Sequence, residues 1–151
     1  MLPLKKILCP TDFSAPSFKA VSAAGELAAA FRSELILLNV IPPIPALTGP
    51  ESPGSFDISR YQAELERSAE KSLDDVRKKK IPVKVKVRTL VSQGAPALEI
   101  ARIAKAKRAD LIVISTHGES GLQHLFGSVA DKVMRHTTIP VLIIHARPGG
   151  K

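Results

Sequence analysis

The residues best suited to chemistry in this chain fall in two short polar stretches, each placed directly after an apolar run. "STHGESGLQHLFGSV", Ser115 to Val129, holds three glycines, two histidines and a Gly-Ser pair. "PTDFS", Pro10 to Ser14, sets Asp12 between Thr11 and Ser14. Gly118 and Gly121 let the backbone approach a ligand closely or take positive φ. Gly127-Ser128 stands where a helical pattern begins, and free N–H groups and the helix dipole favour a phosphate there. The Ser128 hydroxyl adds a donor. Ionised Asp12 only accepts hydrogen bonds, so it repels phosphate and suits a ribose hydroxyl or a base amino group. An acid at one end and a glycine cradle at the other describe a nucleotide. The competing explanation is plain: glycines also end strands, and Gly-Ser also starts helices. Neither the G-x-G-x-x-G dinucleotide fingerprint nor the GxxxxGK[ST] phosphate loop is present.

Catalysis is less well supported than binding. Asp12, His117, Ser120 and His124 lie on the same two stretches, yet no nucleophile has an assigned base. No His/Cys/Asp group has the spacing of a metal site. No catalytic residue and no metal ligand is assigned.

The elements that must position these stretches follow from apolar periodicity. Short runs at Lys6–Pro10, Ser33–Val40, Val83–Val91, Asp110–Ser115 and Val141–His145 alternate with helical patterns. Five such units across the 151 residues predict one α/β domain, 1–151, with an open, parallel, Rossmann-like sheet and helices on both faces. The expected strand order is 3-2-1-4-5. Loops after the strands then emerge at one end, and a ligand belongs in the crevice between strands 1 and 4, where the order reverses. "LILL", "LIVI" and "VLII" are continuously apolar, as in strands covered on both faces. "VKVKVR" alternates, with Val83, Val85 and Val87 on one side and Lys84, Lys86 and Arg88 on the other. That pattern predicts a half-exposed edge strand whose cations discourage pairing with another sheet.

Four helices are expected. Ser14 should cap the first, with Pro16 in its first turn and Phe18, Val21, Leu27 and Phe31 on its buried face. The second starts near Asp57 and carries Ile58, Tyr61, Leu65, Ala69, Leu73 and Val76 at helical spacing. The third has Pro96 near its first turn, and Ser128 should cap the fourth. Between strand 2 and the second helix, residues 41–56 contain five prolines and two glycines, a density that excludes a helix or a central strand. Such a loop is either a lid or a disordered segment.

Net charge is +8, from 22 Lys+Arg against 14 Asp+Glu. The cations crowd into "RKKKIPVKVKVR" and "ARIAKAKR", with no aromatic residue interleaved. The stacking platform of a single-strand binder is missing, so nucleic acid is not an expected partner. No run approaches the ~20 apolar residues of a membrane span, and no signal peptide is read, so the expected location is the cytoplasm. Cys9, the lone cysteine, lies in an apolar run and reads as a small buried residue.

The chain also resembles the universal stress protein family. The resemblance is carried by "KILCPTDFSAPSFKAV", "GAPALEIARIAKAKRADLIVISTHG" and "GLQHLFGSVADKVMRHTTIPVLII", in that order and over almost the whole chain. It implies a five-stranded α/β fold, usually dimeric through the last strand. The family's nucleotide-binding branch carries G-x2-G-x9-G-[ST]. Gly118 matches the second glycine and Gly127-Ser128 the final pair. Ser115 replaces the first glycine, and the spacer from Glu119 to Phe126 has eight residues, not nine. By the same resemblance Pro10, Thr11, Asp12 and Val40 line the adenine and ribose end, and Val129 follows Ser128 at the phosphate end. Also in this set are Ser115, His117 and Gly121. The implied ligand is ATP or AMP, with a divalent cation such as Mg accompanying ATP. Alternatives are a nucleotide-free dimeric interaction module and a slow ATP hydrolase. The dimer would use Ile139, Val141, Leu142, Ile143 and Ile144.

Overall fold

The computed structural model describes residues 3–44, 57–116 and 128–146. Among these residues nine elements follow in the order β1 (Lys6–Pro10), α1 (Ala15–Phe31), β2 (Glu34–Ile41), α2 (Ile58–Lys80), β3 (Lys86–Gln93), α3 (Pro96–Ala106), β4 (Leu111–Ser115), α4 (Ser128–His136) and β5 (Val141–Ile144). The strands form one parallel sheet in the order β3-β2-β1-β4-β5, as the sequence predicts.

Two apolar layers cover the sheet. Successive strand residues point to opposite faces, so Leu35 and Leu37 join Val21, Ala24 and Ala28 of α1 and Leu73 and Val76 of α2. Ile36 and Leu38 join Ile100 and Ile103 of α3 and Val133 of α4 on the other face. Leu35, Ile36, Leu37 and Leu38 are all inaccessible to solvent or nearly so, which is why "LILL" is an unbroken apolar run. Among the described residues no helix is long and apolar enough to cross a membrane.

Several local expectations need correction. The third strand starts at Lys86, not Val83. Pro82 and Val85 close a turn, with the Val85 N–H donating to the Pro82 carbonyl at 3.0 Å, and Val83 at its tip is fully exposed. On α1, Phe31 is exposed and Phe18 and Leu27 are only half-buried. The buried stripe is made of Ser17, Ala20, Val21, Ala24, Gly25 and Ala28 instead. Small side chains let this helix sit close to the sheet, and the larger ones are pushed to its flanks. In α2 only the second half of the apolar series is buried, at Ala69, Leu73 and Val76; Ile58 and Tyr61 are exposed. "VLII" is packed on both faces but only in part: Ile144 lies against the α1 side and Val141 and Ile143 against the α4 side, while Leu142 remains 38% exposed. Ser128 is the first residue of α4 itself rather than a cap ahead of it. Ile41 belongs to β2, so the proline-rich stretch begins one residue later than expected; its residues 45–56 lie outside the described part.

The cations of β3 do have a structural role. Lys86 lies opposite Glu34 in the β2–β3 ladder, and their side chains pair at 2.8 Å, with Arg88 at 3.7 Å. The hydrogen bond from Lys86 holds the Glu34 carboxyl below its ordinary range.

Candidate functional site

The sheet parts at the expected place. The ladder between β1 and β4 consists of Ile7↔Leu111 and Leu8↔Ile112. Beyond these pairs each strand follows its outer neighbour: β1 pairs with β2 as far as Pro10↔Leu38, and β4 with β5 as far as Ser115↔Ile144. A crevice between the carboxyl ends of β1 and β4 is the geometric consequence, since consecutive crossovers leave this point in opposite directions.

On the β1 side the crevice is bounded by a turn whose polar groups are accounted for one by one. Thr11 is 4% exposed. Its N–H donates to the Leu38 carbonyl at 2.8 Å, and its own carbonyl accepts from Asn39 Nδ2 at 2.8 Å. The Ser17 hydroxyl donates to the Ser14 carbonyl at 2.9 Å, which uses its one proton. The 2.8 Å contact between Thr11 Oγ1 and Ser17 Oγ therefore has Thr11 as donor, while Thr11 Oγ1 accepts from the Phe13 N–H at 3.0 Å. Phe13 adopts the left-handed conformation, φ 65°, and turns the chain back into α1. Ser14 caps that helix as predicted, accepting from the Ser17 N–H at 3.3 Å, and Pro16 stands in the first turn, where a missing N–H costs no helical bond.

This turn presents Asp12. Its Oδ1 accepts from the Ser14 N–H at 3.0 Å and from the Ser14 hydroxyl. Asp12 is exposed, and its Oδ2 has no partner among the described residues. The side chain is thus held by one oxygen and offers the other as an acceptor. Pro10 and Val40 are half-buried beside it on β1 and β2, and Val40 packs against the α3–α4 layer.

On the β4 side Ser115 ends the strand, half-buried, in register with Ile144. Thr116 follows with 2% exposure. Its N–H donates to the Ile144 carbonyl at 3.1 Å, but its hydroxyl has no hydrogen-bond partner among the described residues. Burying a hydroxyl without a partner is costly, so this end of the crevice has a polar group to satisfy. At the start of α4 Ser128 is exposed and Val129 half-buried. His117, Gly118, Gly121 and Gly127 lie outside the described residues, so the structure tests neither them nor their approach to Asp12. Among the described residues no group of His, Cys, Asp or Glu is arranged to hold a metal ion.

Three contributors were not singled out from the sequence. Asn39 and Ser17 anchor the Asp12 turn, and Thr116 brings the unpartnered hydroxyl. Asn39 carried a readable signal: an amide inside "LILLNV" is a polar group in a buried strand, and such a group needs a partner. Ser17 and Thr116 carried none, because hydroxyl residues are equally common on surfaces.

The fold and the parted strands define an open-sheet α/β domain with a crevice at its topological switch point. The universal stress protein family model matches residues 3–145, and the chain belongs to that family. A universal stress protein of Methanocaldococcus jannaschii is 36% identical over 141 residues, covering 93% of this chain and 81% of that one. The solved structure of MJ0577, also from Methanocaldococcus jannaschii, superposes with a TM-score of 0.78 at 29% identity, covering 97% of this chain and 99% of that one. A universal stress protein solved in complex with cAMP superposes with a TM-score of 0.66 at 25% identity, covering 94% of this chain and 97% of that one.

Proposed function

We propose that this chain binds an adenine nucleotide, ATP or AMP, across the crevice between β1 and β4, and that it serves the stress response as a regulatory or interaction module. The observation that carries this reading is the Asp12 turn: a buried, hydrogen-bonded Thr11–Ser17–Asn39 network holds an exposed carboxylate at the point where the sheet parts. A carboxylate with one oxygen held and one open suits a ribose hydroxyl pair or an exocyclic amine, and it disfavours phosphate at that end. The phosphates belong at the start of α4, where Gly127 and Ser128 offer N–H groups and a hydroxyl. Thr116 Oγ1 supplies a further polar contact between the two ends. The relative solved with cAMP supports the same ligand class. A divalent cation would accompany ATP through its phosphates, since Asp12 sits at the other end.

Isothermal titration calorimetry with ATP, AMP and adenosine tests the reading. Asp12→Ala should weaken all three alike, whereas Gly127→Arg should abolish ATP and AMP binding while leaving the fold. If ATP and AMP affinities are unchanged in Gly127→Arg, the assignment of the phosphate end fails.

The functional unit is a homodimer through β5. Among the described residues only β4 pairs with this edge strand, and Leu142, Ile143 and Ile144 stay partly or well exposed. Leu142 lies level with Val113 and Ile144 follows on the α1 side, while Val141 and Ile143 pack toward α4. A second copy pairing antiparallel about a two-fold axis would occupy the free backbone groups and cover Leu142 and Ile144. Leu142→Lys with Ile144→Lys should give a monomer by light scattering; a wild-type protein already monomeric at micromolar concentration would exclude the dimer.

A further inference from the structure

The opposite end of the sheet carries a second, differently built hollow. It has a volume of about 670 Å³ and lies where α1 ends and β1, β2 and β3 begin. Its floor is made of small or apolar groups, Ala28, Ala29 and Val85, and its rim of Lys5, Arg32, Lys84 and Lys86. The one carboxylate among the lining residues, Glu34, is already taken by Lys86 at 2.8 Å and approached by Arg88 at 3.7 Å. The side-chain cations of Lys5, Arg32 and Lys84 have no carboxylate partner among the described residues, although the Lys5 backbone N–H donates to Asp110 at 2.8 Å.

Helix dipoles account for some of the nearby cations, Arg32 at the carboxyl end of α1 included, but not for Lys5 and Lys84. Arg77 to Lys80 sit in the last turn of α2, where positive charge is favourable, and Arg77 and Lys78 also pair with Asp74. Lys5 and Lys84 are on no helix. Arg32 is the C-cap of α1, held left-handed at φ 55°, a conformation for which glycine is the cheaper residue. Here that position carries a long cation over the rim of the hollow.

Apolar groups flank the same rim. Phe31, 46% exposed, precedes Arg32, and fully exposed Val83 precedes Lys84. The two stretches belong to one surface, because α1 packs against the turn that follows α2. A Cβ on Gly25 would stand 3.1 Å from Ile81 Cδ1 and 3.3 Å from Pro82 Cδ.

We infer that this hollow docks an acidic protein segment, one carrying at least two carboxylates for Arg32 and Lys84 and an apolar side chain for the Ala28–Val85 floor. Charge complementarity selects an anion, and unpaired cations steer its approach. The concave, partly apolar floor selects a peptide over a flat bilayer. The lack of an aromatic stacking surface selects it over single-stranded nucleic acid. Because hollow and crevice are at opposite ends of the sheet, a nucleotide and this partner can be bound together.

Fluorescence anisotropy tests the inference on the full chain in roughly physiological salt. The probe is a fluorescein-labelled peptide built from glutamates with two leucines. Arg32→Glu with Lys84→Glu should weaken it at least tenfold. Val83→Ser should weaken it several-fold with an unchanged salt dependence, as an apolar contact requires. The same charge reversal at Lys71 and Lys132, both exposed and on other surfaces, should leave affinity within twofold. Equal losses in the two charge-reversed proteins would mean that net charge alone attracts the peptide, and would overturn the inference. So would absence of micromolar peptide binding, or tighter binding of a DNA duplex or of phosphatidylserine vesicles through Arg32 and Lys84. All substituted residues are exposed, so each variant should fold, with Arg32→Glu melting slightly lower because it reverses a favourable charge at the carboxyl end of α1; circular dichroism melts check this.

Discussion

Asn39→Leu isolates the bond that ties the Asp12 turn to β2. The amide is 8% exposed and donates from Nδ2 to the Thr11 carbonyl at 2.8 Å, inside a region where Thr11 is itself 4% exposed. Leucine has nearly the same shape and no donor, so the Thr11 carbonyl loses its partner without a large cavity forming. Leaving one buried acceptor unpaired costs about 1–3 kcal/mol. The added apolar burial of leucine returns part of this, leaving a net loss of roughly 1–2 kcal/mol. In a domain of this size about 1 kcal/mol shifts Tm by roughly 2–4 °C, so a fall of about 2–8 °C is expected. The functional effect is separate. If the turn is no longer pinned, at least one more residue must be ordered on binding, at about 1–2 kcal/mol of backbone entropy. Adenosine and ATP should then both bind roughly five- to thirtyfold more weakly, since the turn serves the end that they share. Urea unfolding and calorimetry on the same preparation read both effects. A protein destabilised as calculated but with unchanged affinity for both ligands would refute the positioning role of Asn39, and with it the view that the pinned turn is what presents Asp12.

The remaining predictions use other groups. Thr116→Val removes the buried hydroxyl that has no partner among the described residues, so it should raise Tm in the absence of ligand by a few degrees while weakening nucleotide binding several-fold; calorimetric melting with and without AMP reads both signs. Glu99 accepts from Arg102 and from the Ser92 hydroxyl, which lower its carboxyl pKa from 4.5 to about 2. Its contribution to stability is therefore fully present above pH ~4.5 and is lost as pH falls toward ~2, so Glu99→Gln should flatten the acid limb of a urea-stability profile across that window. Cys9 is wholly buried, and burial pushes its thiol pKa up, so Ellman's reagent should label it at the rate of global unfolding and no faster.

What the sequence determined by itself is the part of the fold that periodicity can carry. Unbroken apolar runs at "LILL" and "LIVI" required strands covered on both faces, and alternation with helical patterns required parallel crossovers; the strand order β3-β2-β1-β4-β5, and with it the position of the crevice, is one of the few arrangements those two facts allow. Ser14 and Pro16 at the start of α1, and Pro96 at the start of α3, were legible because capping and helix-start preferences act over only a few residues. The ends of elements were less so. Val83 continues the alternation of β3 perfectly, yet a local turn bond at Val85 takes it out of the sheet. Phe31 looks like a core residue by spacing, yet close packing of α1 on alanines leaves no room for it. The tertiary structure alone decided how Asp12 is held. Its anchors, Asn39 and Thr11, are 28 positions apart and meet because β1 and β2 are neighbours in the sheet. It also decided the charge of the other end, where Lys5, Arg32 and Lys84 come from three separate segments. Hydrogen-bond partners and ion clusters of this kind depend on which strands lie side by side, and a pattern read along one chain holds no record of that adjacency.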